Sequence, residues 1–286
     1  MKTINRCLTM SVLTGLGLVA ASTVMAQPNA GQAVFTDITI TALGNSTVGG
    51  INSAVILPHV FNDAPASVGT YNNLYPGSIL LGEQNVNNGT GNGLERDVWY
   101  FSKDGVTPYN FQAGDFFQAS FSLTLSGGVP LKDLEGGFLF SNPSGAWGGD
   151  DQVVLVGQGG NAGTTVQFGG PSYYPFSPAA GGYPGVGGAV PNYPNGGTYR
   201  LGFNYTLDPG TGVPAFQYWV DAGGGPQYAA NAATGTYFDL GGAVGGPGDY
   251  LGGYFQIAPV VVPEPSMLAL LGLGVLPLAR LLRRRA

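Results

Sequence analysis

The chain has 286 residues, of which 44% are hydrophobic, 12% aromatic and only 9% charged, with 50 glycines, 21 prolines and one cysteine. That length allows one large domain or two small ones beside targeting segments, one being the better expectation. Between residues 27 and 260 four basic residues (Arg96, Lys103, Lys132, Arg200) face fifteen acidic ones, a net −11 that argues against nucleic-acid binding and leaves calcium compatible.

Lys2 and Arg6 precede an apolar stretch from Leu8 to Ala21, and Val24-Met25-Ala26 is a small-x-small cleavage pattern. This is the anatomy of a secretory signal peptide, with the mature chain beginning at Gln27 and cleavage near Ala21 as the alternative. The one cysteine, Cys7, lies inside it, so the body is expected to hold no disulfide and no cysteine metal site.

The high Gly and Pro content borders on that of disordered chains, but plentiful aromatics and alternating segments point to strands. Residues 33–41 alternate well. Ala54 to Leu57 is a short apolar run expected to stop at Pro58, and Ser78 to Leu81 is a further short strand. Asn85 to Gly93 is turn chemistry. Asp97 to Phe101 reads as an aromatic strand, and Phe116 to Leu125 as the clearest strand, with Phe117, Ala119, Phe121, Leu123 and Leu125 on one face.

Gly137–Phe140 and Gln152–Val156 flank a loop with Trp147 and Asp150-Asp151, and residues 164–168 form a short strand. Gly169 to Gly197 is close to low complexity and reads as a long surface loop, or as a carbohydrate-facing one through its tyrosines. Strands are then expected at 199–207, 215–220, 236–240 and 254–257. About a dozen short strands with long Gly/Pro-rich loops predict an all-β, two-sheet antiparallel sandwich over residues 27–260.

The tail is different. Val262-Pro263-Glu264-Pro265 is extended and short of donors, an apolar run follows from Met267 to Ala279, and Arg280, Arg283, Arg284 and Arg285 close the chain. The apolar run falls short of the ~20 residues that usually span a bilayer, and Arg280 can snorkel to lengthen it. The arginines place the C-terminus on the cytoplasmic side as a stop signal.

Residues 261–286 resemble the PEP-CTERM sorting signal of Gram-negative bacteria. The resemblance implies a transient stay in the inner membrane, recognition and tail removal by an exosortase, and a cell-surface or extracellular destination linked with exopolysaccharide. It carries an address and no chemistry, and an ordinary single-span anchor is the alternative. In the body, the order of Asp97-Val-Trp-Tyr-Phe, Phe138-Leu-Phe, an Asp-rich loop, residues 199–207, Asp208-Pro-Gly-Thr-Gly and Phe216-Gln-Tyr-Trp-Val-Asp221 resembles concanavalin-A-like β-sandwich proteins. A jelly roll would read much the same.

Chemistry is sparse. His59 is the only histidine and reads as an incidental loop residue: a Ser–His–Asp site around it has no supporting signature, and one histidine without cysteine is expected to form no zinc site. Paired carboxylates are the enzymatic option: Glu83, Glu95 with Asp97, and Asp133 with Glu135, the two i, i+2 pairs sharing a strand face. The Glu-x-Asp-x-Glu pattern of sandwich glycosidases is missing, so no catalytic residues are expected and solvated charge is the default. A structural calcium at Asp150 and Asp151 is the one cofactor considered, with Asp208, Asp221 and Asp239 as further donors. The sequence thus predicts an exported structural or interaction protein; the alternatives are a lectin-like glycan-binding module and, behind it, a secreted glycosidase.

Overall fold

The computed structural model describes residues 30–62, 67–84, 86, 95–112, 114–127, 131–141, 152–159, 163–169, 173–175, 197–221, 223–229, 235–238 and 249–259. For 61–62, 131–133, 141, 152–159, 163–169, 173–175 and 258–259 only the backbone is described. The expected leader and sorting signal (with Ala26, Gln27, Val262 to Pro265 and the four C-terminal arginines) and the Asp150-Asp151 pair lie outside these residues.

The described chain is all-β. Fourteen strands run in order: β1 (Gly31–Leu43), β2 (Ser53–Asn62), β3 (Val68–Leu74), β4 (Ser78–Gln84), β5 (Glu95–Ser102), β6 (Phe116–Gly127) and β7 (Leu131–Ser141). There follow β8 (Gln152–Gly159), β9 (Gly163–Gly169), β10 (Tyr173–Pro175), β11 (Thr198–Leu207), β12 (Pro214–Asp221), β13 (Gln227–Tyr228) and β14 (Tyr250–Pro259). They form two seven-stranded antiparallel sheets, β13-β12-β11-β6-β1-β4-β3 and β10-β9-β8-β7-β14-β5-β2.

Period-two patterning puts one face of each sheet against the other. Phe117, Ala119, Phe121, Leu123 and Leu125 of β6 are all buried, as their alternation predicts. Phe121 stacks on Phe138 of β7 with ring centroids 3.9 Å apart, and Phe35 of β1 meets Trp99 of β5 edge-on at 5.7 Å. Phe203 and Phe216 continue the layer on one side, and Leu251, Phe255 and Ile257 of β14 on the other. These rings remove large apolar areas from water and add edge-to-face or stacked contacts worth about 0.5–1.5 kcal/mol each.

Several expectations need correction. The alternation of β1 is broken by a bulge between Thr36 and Thr39, where Asp37 takes a positive φ of 51° and Ile38 instead of Asp37 enters the core. Strand β2 does not stop at Pro58. It is an edge strand, so a residue without an N–H interrupts no inner ladder, and Pro58 sits in a bulge between Leu57 and Phe61. Asp133-Leu134-Glu135, by contrast, lies in a strand as its spacing suggests: it belongs to β7, paired with β14 and β8. Around 236–240 the described residues show only an isolated bridge, Phe238 with Phe216, and Tyr173–Pro175 within the expected loop is a short strand.

One buried charge organises a rim of the core. Asp115, 1% exposed, accepts bonds from the Thr47 amide at 2.6 Å, the Gln112 amide at 2.8 Å, the Ser46 hydroxyl at 3.1 Å and the Tyr109 hydroxyl at 3.0 Å. Burial works to raise its pKa, but these donors prevail and hold the carboxyl below its ordinary value. Asp115→Ala would leave two amides and a phenol without their acceptor. The expected loss is about 3 kcal/mol of unfolding free energy, read from urea denaturation; a change within about 0.5 kcal/mol would contradict this account.

Candidate functional site

Inward-facing positions along β5 turn from apolar to acidic. Phe101 and Trp99 lie in the aromatic core, and Asp97 and Glu95 follow on the same face, both fully buried. Arg96, between them, points the other way, donating from Nε to Gln256 Oε1 of β14 at 2.8 Å and also from Nη2. Strand β4 makes the same change: Ile79 and Leu81 are buried in the core, and Glu83 continues their face at 1% exposure. The i, i+2 reading of Glu95 and Asp97 is therefore correct, and the fold brings Glu83 to them from the opposite sheet.

Backbone irregularity adds His59. In the β2 bulge Pro58, His59 and Val60 together stand opposite Asp97, and His59 adopts a left-handed φ of 51°. Its amide bonds the Asp97 Oδ1 at 2.9 Å. The imidazole turns to the carboxylates, with Nδ1 3.1 Å from Glu95 Oε2 and 3.7 Å from Glu83 Oε1. The expected incidental histidine thus sits at the mouth of a buried acidic group, its side chain 31% exposed where those of Glu83 and Glu95 are sealed.

Tyr71 completes the cluster from β3, a strand the sequence reading missed. Its ring lies over Gly69, where a Cβ would stand 1.9 Å from the phenol oxygen. Gly69 and Gly31 are also the two cross-strand neighbours of Glu83, so bare backbone on both sides leaves room for this approach. The Tyr71 hydroxyl donates to Glu83 and lies 3.0 Å from Asp97 Oδ1 and 3.3 Å from His59 Nε2. One phenol has one proton, so it serves one carboxylate at a time while accepting from the imidazole. The remaining oxygens, Glu83 Oε2 and Asp97 Oδ2, are buried with no hydrogen-bond partner.

Burial dominates the electrostatics. It pushes Glu83 up to about 7, helped by the neighbouring Asp97 charge and opposed by the Tyr71 bond and by His59. Asp97 is raised by burial against the His59 amide and Tyr71. Tyr71 is raised well above the ordinary phenol range by burial and the adjacent carboxylates. Burial works to lower His59, but its bond to Glu95 and the nearby carboxylates outweigh this and raise it. Chemically this is a proton-holding or cation-holding cluster. Glu83 and Glu95 offer no surface to a saccharide, so the glycosidase geometry of two carboxyls flanking an open cleft is not met here. The other predicted acids are apart from it: Asp133 and Glu135 lie in β7, Asp208 and Asp221 bond backbone amides in turns, and Asp239 is outside the described residues.

A second polar feature lies on the face of the other sheet that points away from the core. Thr39, Ser120, Arg200, Asn204, Trp219 and Tyr228 line an open groove of about 250 Å³. Trp219 lies flat across Gly202, whose absent side chain makes the space, and its Nε1 donates to Asn204 Oδ1 at 3.3 Å. Arg200 Nη2 donates to Ser120 Oγ at 2.9 Å, and Tyr228 stands 38% exposed at the rim.

Glu83 and Asp97, with raised values, hold protons in the folded state that they lose when unfolded, so both favour folding at low pH; the Glu83 contribution fades between about 4.5 and about 7, and that of Asp97 as pH rises through its raised folded value. His59, also raised, stabilises below its ordinary 6.5 and loses that contribution as pH rises through its folded value. Both act in one direction. The metal-free protein is expected to melt at a higher temperature at pH 5.5 than at pH 8, and Glu83→Gln to flatten that slope; a wild-type melting temperature that rises over the same interval would contradict it.

Searches against protein-family models, curated proteins and solved structures return no match, so fold and site rest on the chain's own geometry.

Proposed function

We propose that this is an exported cell-surface or extracellular-matrix protein with a structural or interaction role linked with exopolysaccharide. An exosortase recognises Val262-Pro263-Glu264-Pro265, with Arg280, Arg283, Arg284 and Arg285 as the cytoplasmic stop. The observation that carries this reading is the order of the last twenty-six residues: Pro-Glu-Pro box, short apolar run, arginine cluster. The matching leader up to Ala26 supports it, and so does a strongly acidic body built of two antiparallel sheets. We take that body as a sandwich of concanavalin-A-like or jelly-roll type. The test is intact mass of the protein from cells and from medium. The medium form should start near Gln27 and end near the Pro-Glu-Pro box, and Pro263→Ala with Glu264→Ala should hold an intact tail in the membrane fraction. A wild-type chain found only in membranes with its tail intact would overturn the reading.

The groove favours a second reading, a glycan-binding module. An indole across the sheet, an exposed tyrosine and a ring of hydroxyl, amide and guanidinium groups offer apolar area and hydrogen bonds to a sugar. On a glycan array the protein should retain neutral oligosaccharides, and Tyr228→Ala should weaken retention about tenfold, equivalent to ~1.4 kcal/mol. Absence of retention across the array would remove this reading and leave the first intact.

A further inference from the structure

We propose that the cluster between β2, β5, β4 and β3 is a binding site for a first-row divalent transition ion, zinc or manganese, held by His59, Glu83 and Asp97, with Glu95 beside the imidazole. The inference is independent of export and sorting. His59, Glu83 and Asp97 each offer one donor atom, and these atoms lie within 4.8 Å of one another. His59 Nδ1 lies 3.7 Å from Glu83 Oε1 and 3.1 Å from Glu95 Oε2. Donors sharing a tetrahedral ion at ~2.1 Å stand roughly 3.4 Å apart, so small side-chain movements suffice.

A second observation points to an occupant. Glu83 Oε2 and Asp97 Oδ2 have no hydrogen-bond partner, and their residues are 1% and 0% exposed. A buried carboxylate oxygen without a donor is costly, and one cation would satisfy both. A proton shared between the two carboxyls is the competing solution, and it would leave the protein indifferent to metal. The imidazole nitrogen among the donors favours a transition ion over calcium or magnesium, which prefer all-oxygen shells. The Tyr71 hydroxyl, bonded to Glu83, orients that carboxylate as outer partners of metal ligands do. The partly exposed His59 gives an ion a way in.

The full chain, stripped with chelator, would be dialysed against micromolar zinc, manganese or calcium chloride, with bound metal counted per chain and thermal unfolding followed. One equivalent of zinc or manganese should bind and raise the melting temperature by several degrees. Glu83→Gln and Asp97→Asn should each weaken binding at least tenfold, yet leave the metal-free protein as stable as wild type or more so, since each removes a buried charge. His59→Asn, whose side chain tolerates the left-handed backbone, gives a third loss of binding at a partly exposed position. Arg200→Gln, on the far face of the sheet, should bind as wild type does. No stoichiometric zinc or manganese, calcium alone, or binding that survives all three site substitutions would overturn the proposal.

Discussion

Everything described here depends on the contact of two sheets through aromatic rings. The chain has a single cysteine, Cys7, so no disulfide ties the sheets together. Phe121 on Phe138, Phe35 against Trp99 and Phe203 against Phe138 at 5.3 Å do that work by packing alone. Large rings suit a chain so rich in glycine. Some bare positions on a strand leave space for a ring, as Gly202 does for Trp219 and Gly253 for Trp99 and Phe35. At these positions glycine and aromatic residue are two sides of one packing solution.

Against that apolar layer, the acidic end of the core stands out as a local conflict. Three carboxyls occupy positions that the pattern of β4 and β5 reserves for apolar residues, and the histidine facing them holds a backbone conformation unusual for its kind. A fold does not need such an arrangement for stability, because buried charge is costly even when paired. Backbone strain and several buried charges that coincide at one place are the usual mark of a site with a task.

Much of this was legible in the sequence. Strands with strict alternation, above all β6, were read with the correct buried face, and the shared face of Glu95 and Asp97 followed from spacing. Strand β3, Val-Gly-Thr-Tyr-Asn-Asn-Leu, carried no apolar period because it is an exposed edge with a single inward ring. His59 was hidden by Pro58, which signals a stop in any strand but an edge one. The meeting of Glu83 with Asp97 depends on which strands face each other across the core, and no local pattern encodes that. The glycines flanking Glu83 were a usable trace, but only once β1, β4 and β3 were known to be neighbours.

The β2 bulge has one more consequence. β2 ends one sheet and β3 ends the other, so each presents a row of backbone groups that another chain could pair with. At Pro58 that row lacks a donor, and the His59 amide is already committed to Asp97. Asn73 of β3 meanwhile donates across to the Ala54 carbonyl of β2 at 2.7 Å, tying the two borders to each other. The polar cluster and its neighbours therefore make a selvedge of this border, a finished edge that is hard to extend strand by strand.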